Sequence, residues 1–173
     1  HRIASSLHQE GYDVLVVGRL LKNSLPLAPR GYVTRRMSLN FETGKQFYAE
    51  YNLRLYQLLM KQPKGIWVSN DLDTLVAVSQ AAKKKGSKVV YDSHEYFTEV
   101  PELVGRPLVR KIWLNIEKRL FPKVDAAYTV NQSIADIYSK KYSTESTEKI
   151  GKMISTANVY LSDIDETKKY HIS

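Results

Sequence analysis

The chain has 173 residues, 43% hydrophobic and 25% charged, a balance that excludes a disordered tail or a fibrous protein and suffices for one globular core. It has no cysteine, which excludes a disulfide scaffold, a thiol nucleophile and a Cys-ligated zinc site and fits a cytoplasmic setting. Lys and Arg number 26 against 18 Asp and Glu, and the excess peaks in residues 106–123, with six basic side chains and one acidic. Such a field favours an anionic partner, whether a nucleic acid, a phosphorylated metabolite or an acidic membrane surface.

Uncharged stretches such as Gly65–Asn70 fall far short of the ~20 apolar residues of a membrane span. The opening His1-Arg2-Ile3-Ala4 lacks the apolar core of a signal peptide. In chain order, Ile3, Ala4 and Leu7 share a helical face that stops at Gly11, and Asp13–Gly18 reads as a fully buried strand. Residues 19–45, punctuated by Pro26, Pro29, Gly31 and Gly44, form a loop with a short strand at Tyr32–Met37. Phe47, Tyr51, Leu55, Leu58 and Leu59 then make a helical stripe.

The alternation continues. Gly65–Ser69 is a strand, Asp71–Lys85 a helix closed by Gly86, and Lys88–Asp92 the next strand. Leu108, Ile112, Ile116 and Leu120, with Val109 and Trp113 beside them, give one apolar face to a helix that ends at Pro122. Asp125–Val130 is another strand, and Ser133 with Asp136 forms a capping box for the following helix. Ile150–Val159 is a last strand, and Ser162 caps a short helix from Asp163. This order predicts an α/β class: one Rossmann-like domain over residues 1–173, a doubly wound, mostly parallel sheet with helices on both faces. The chain opens inside a helix and closes where a further element is due, so a piece of a longer protein is expected.

In an open parallel sheet, ligands sit beyond the carboxyl ends of the strands. Those positions hold Gly18 and Arg19, then Asn70, Asp71 and Asp73, then Asp92, Ser93, His94 and Glu95, and finally Asn131. His94 is the only histidine so placed. Asp71, Ser93 and Asn131 are equally suited to capping the helices that follow, and His94 to a structural hydrogen bond. Asp71, Asp73, Asp92, His94 and Glu95 together offer oxygen and imidazole ligands, so a metal-dependent hydrolase is one reading. The second histidine of a zinc-protease helix, a Walker loop and a Gly-x-Ser-x-Gly elbow are all lacking. The basic helix, with Arg110, Lys111, Lys118 and Arg119, suits a non-catalytic module on an anionic or membrane surface. The plainer reading, preferred here, packs its apolar face on the sheet and turns the cations to water or lipid headgroups.

A resemblance joins these pieces. His1-Arg2-Ile3-Ala4-Ser5-Ser6-Leu7 with Gly11-Tyr12-Asp13-Val14, Ser69-Asn70-Asp71-Leu72-Asp73-Thr74-Leu75, and Val90-Tyr91-Asp92-Ser93-His94-Glu95 resemble the N-terminal half of bacterial family four glycosyltransferases. Ile116-Glu117-Lys118 and Thr129-Val130-Asn131-Gln132-Ser133-Ile134 continue the match, which runs from His1 to about Val159. The resemblance implies a GT-B fold of two facing Rossmann-like domains, with this chain on the acceptor side. It implies sugar transfer with retention from a UDP- or GDP-linked donor, in cell-surface polysaccharide or glycolipid synthesis, without a cofactor or essential metal. By the same resemblance His94 meets the transferring sugar as the catalytic residue, and Asn70, Asp71, Asp73, Asp92, Ser93, Glu95 and Asn131 line the cleft. The expected partners are the nucleotide-sugar, a sugar or lipid-linked acceptor, a C-terminal donor domain and the inner membrane face, with no nucleic acid. The family's first strand and its donor domain are not found in this sequence, so the isolated domain is expected to be inactive and to expose a sheet position prone to pairing between copies.

Overall fold

The computed structural model describes residues 2–99 and 105–142 and the backbone of 154–155. The elements run α1 (Arg2–Gln9), β1 (Leu15–Leu20), β2 (Val33–Ser38), α2 (Gly44–Met60), β3 (Ile66–Asn70), α3 (Asp71–Lys85), β4 (Lys88–Ser93), α4 (Pro107–Leu120), β5 (Ala126–Thr129), α5 (Gln132–Tyr142) and β6 (Ile154–Ser155). The predicted alternation is therefore observed. The remainder of the expected 150–159 strand, and the Ser162-capped helix from Asp163, lie outside the described residues.

All pairings are parallel, but the strands form two sheets where one was expected: β1 with β2, and β3-β4-β5-β6. This division corrects the reading of the first strand as fully buried. It begins at Leu15, and its residues grow more exposed towards Leu20, because a two-stranded sheet offers little surface to cover it. Its partner β2 alternates exposed and covered positions. A small cluster of Ala4, Val14 and Tyr32 seats α1, while Ile3, expected on the same inward face, is 45% exposed.

The main core is built by α2 and α3 against the larger sheet. Leu55 and Leu59 meet Leu72, Leu75, Val78 and Ala81, with Trp67, Val89 and Tyr91 beneath. At this scale each fully buried leucine contributes about 1.5–3 kcal/mol. Gly86 ends α3 in the left-handed region (φ 66°), donating its N–H to Ala82, a conformation that favours glycine.

Two helices depart from the sequence reading. In α4 the predicted apolar stripe does not all turn inward: Leu108 is 78% and Ile112 59% exposed, and the buried residues are Trp113 and Glu117. Trp113 is the larger anchor, edge-on to Tyr48 and Phe97 at 5.0 and 5.2 Å between ring centroids. Glu117 follows it inward because its carboxylate is satisfied there, accepting from Lys141 Nζ and Tyr142 OH, each at 2.6 Å. In α5 the cap is Asn131, whose Oδ1 accepts the Ile134 N–H at 2.9 Å, and Asp136 is bound instead by Gln132 Nε2 at 2.7 Å. Asn131, one residue before the helix, reaches that amide without the Ser133–Asp136 box.

Candidate active site at the carboxyl ends of β3 and β4

The loop after β4 is held from three sides. Asp92, on the last turn of the strand, is buried, and its Oδ2 accepts from Tyr128 OH on β5 at 2.8 Å and contacts His94 Nε2 at 2.9 Å. Asp71, at the start of α3, accepts the backbone N–H of His94 at 3.0 Å. Ser93 Oγ closes the turn by donating to the Glu95 carbonyl at 2.8 Å, and Thr129 Oγ1 donates to the Ser93 carbonyl at the same distance. The His94 ring is thereby oriented while its side chain stays 56% exposed. With a carboxylate at Nε2, that nitrogen carries the proton, and Nδ1 is left as an acceptor in the neutral ring.

The electrostatics follow from this packing. Burial disfavours the charged form of His94, but the hydrogen bond to Asp92 and the charges of Asp92 and Asp71 outweigh it and raise the imidazole pKa above 6.5. Asp71 is raised by burial and by the nearby charges of Glu95 and Asp92, against the hydrogen bond and charge of His94. Asp73 is pushed from 3.8 up to about 6 by burial and by Asp71, despite its own and the Thr74 backbone N–H groups and Arg19. Burial and the adjacent Asp92 carboxylate raise Tyr128 and keep it protonated as a donor.

The turn into α3 is unusual in its backbone. Asp71 has φ 58°, a region that Asp tolerates better than most residues. Its carboxylate faces His94 and not an amide of α3, so the capping role considered for it is not the one it fills; nor does the Asn70 side chain cap the helix. Asn52 of α2 secures the same turn. Its Nδ2 donates to the Asp73 carbonyl at 2.8 Å and its Oδ1 accepts from Ala77 N–H at 3.0 Å, bridging two groups that pair with each other in a regular helix.

Asp71, Asp73, Asp92, His94 and Glu95 thus share one neighbourhood. Asn70, Asp71 and Asp73, with Thr74, Tyr51 and Val17, line a cavity of about 230 Å³. Ser93 is buried and turned into the strand end, and Asn131 is engaged in capping α5. Among the described residues no three His, Asp or Glu side chains converge as metal ligands. Of the four cations expected on the surface of α4, Arg110 instead donates through Nε to the Thr98 carbonyl at 3.0 Å, whereas Lys111, Lys118 and Arg119 are exposed. Sequence reasoning missed Tyr128 and Asn52. Tyr128 lies within an alternating strand, and nothing local tells its phenol from a core aromatic.

Parallel strands joined through helices, with polar groups gathered at their carboxyl ends, define a Rossmann-like α/β domain. The chain belongs to Glycosyltransferase Family 4, whose family model matches residues 1–150. A search of curated proteins gives no significant match.

Proposed function

We propose that this chain is the acceptor-side domain of a retaining glycosyltransferase that uses a UDP- or GDP-linked sugar to extend a cell-surface polysaccharide or glycolipid, together with a nucleotide-binding companion domain. The observation that carries the reading is His94: oriented through Asp92 and Tyr128, yet with more than half of its side chain open at the strand ends. A ring so fixed positions a sugar hydroxyl at Nδ1 or, when protonated, a phosphate oxygen, and such positioning supplies much of a transfer barrier's reduction. Asp71, Asp73 and Glu95 are the neighbouring acceptors for hydroxyls of the incoming acceptor. In the reaction the acceptor oxygen bonds to the anomeric carbon, the bond to the donor phosphate breaks, and the hydroxyl proton leaves with the nucleotide diphosphate.

The test is transfer by the full-length protein from isotope-labelled UDP- and GDP-sugars, with and without EDTA, reading product configuration by NMR. Retention of the donor's anomeric configuration, unaffected by EDTA, is expected. Inverted product, or hydrolysis dependent on a divalent metal, contradicts the reading.

A second, compatible reading concerns location. Exposed Leu108 and Ile112, one turn apart and beside Lys111 and Arg119, favour peripheral contact of α4 with an anionic bilayer.

A further inference from the structure

Asn52, half-buried on α2, has both ends of its amide engaged. Its Nδ2 donates to the Tyr48 carbonyl of its own helix at 3.0 Å and to the Asp73 carbonyl of α3 at 2.8 Å, while its Oδ1 accepts the Ala77 N–H at 3.0 Å. Only one orientation of the amide fits, because the reversed one sets its oxygen against two carbonyls and its NH2 against an N–H. Aspartate fails there for the same reason, and glutamine is one methylene too long. An apolar residue would leave the Asp73 carbonyl and the Ala77 amide to each other, as in any helix. The packing of α2 on α3 does not need the amide, since Leu55, Leu59, Leu72, Leu75 and Val78 belong to one apolar core. What the asparagine adds is a fastening of the first turn of α3.

That turn carries the strain of the site. Among the described residues Asp71, at φ 58°, is the only non-glycine residue with positive φ, and such backbone persists where the surroundings over-determine it. Two hydroxyls hold the turn from the strand side. Thr74 Oγ1 donates to the Asn70 carbonyl at 2.9 Å and makes a second hydrogen bond, of 2.8 Å, with the buried Ser69 Oγ. In this conformation the Asp71 carboxylate reaches the His94 N–H at 3.0 Å, whereas an aspartate at a regular helix start turns onto the amides of its own helix.

We propose that Asn52 is a positioning residue for the transfer reaction: by fastening the first turn of α3 it holds Asp71 in its left-handed conformation and so keeps the Asp71 carboxylate on the His94 N–H. Asn52 thus acts through the backbone of His94, while Asp92 and Tyr128 act through its ring. The bearing on transfer rests on the transferase reading, but the positioning itself is measurable without transfer.

The experiment uses the full-length protein labelled with 15N-histidine, the His94 amide being identified by its loss in His94→Gln. Donation to a carboxylate places that amide proton downfield in the parent. Asp71→Gly, which allows the positive φ and removes the carboxylate, is expected to move it upfield. Asn52→Ala is expected to move it most of the way to the Asp71→Gly position with the thermal melt little changed, because alanine suits a helix and the two freed backbone groups pair with each other. Thr74→Val, which loosens the turn from the opposite side, is expected to move the signal in the same direction and decides the matter if Asn52→Ala does not fold. In transfer assays Asn52→Ala is expected to lower kcat about tenfold, with no further loss when added to Asp71→Gly. An unmoved His94 amide in Asn52→Ala overturns the proposal, as does an equal loss of kcat in the parent and Asp71→Gly backgrounds, or a moved amide with kcat unchanged. A parent that transfers no sugar overturns the transferase reading instead, and the amide signal still decides whether Asn52 positions the loop.

Discussion

Asp73 carries its charge at a disadvantage, because burial and Asp71 raise its pKa from 3.8 to about 6. A carboxyl raised in the folded state binds its proton more tightly than in the unfolded chain, so stability falls as pH rises between the two values. Above pH 6 the penalty is complete, about 3 kcal/mol for a shift of this size. Asp73→Asn removes the charge and keeps an acceptor for the first-turn amides. Urea unfolding at pH 7.5 is expected to show a gain of about 1–3 kcal/mol that shrinks below pH 6 and is absent near pH 3.5. A variant no more stable than the parent at pH 7.5 contradicts this account of the acidic pair. His94 runs the other way: its raised pKa adds stability that is present below pH 6.5 and lost as pH climbs through the folded value.

At the scale of an element, α4 shows why periodicity alone misplaced a face. The residues at 108, 112, 116 and 120 have ideal helical spacing, yet Trp113 and Glu117 take the core and leave Leu108 and Ile112 outside. A glutamate at an inward position reads as solvent-facing in sequence. Its partners, Lys141 and Tyr142, come from a helix 24 and 25 residues away, and no local pattern announces them. The outward face that results is apolar and flanked by Lys111 and Arg119. Flotation of the chain with phosphatidylglycerol vesicles is expected to be strong at low salt and weak at high salt, and Leu108→Ser with Ile112→Ser is expected to reduce it about tenfold. Equal flotation of parent and variant, or equal binding to phosphatidylcholine, argues against a membrane role for this face.

Across the whole molecule, strand and helix alternation was legible because short β-branched runs and helical stripes have distinct periods, and Gly86 marked a helix end that the structure places at the same residue. The neighbourhood of Asp71, Asp92 and His94 was legible because strand ends in a parallel sheet converge. Division of the strands into two sheets was not, since sequence pattern fixes the faces of a strand and says little about which edge it pairs with. The orientation of His94 was also hidden, because it depends on a phenol 34 residues further along the chain. The account as a whole turns on that histidine. The most direct measurement is kcat for His94→Ala in the full-length enzyme beside its thermal melt. Expected is a loss of about 10²–10³-fold in kcat with the melt little changed when taken above the His94 pKa, where its charge no longer adds stability and the side chain is more than half exposed. Full activity in the variant, or a loss of activity no larger than the loss of folded protein, contradicts the central claim.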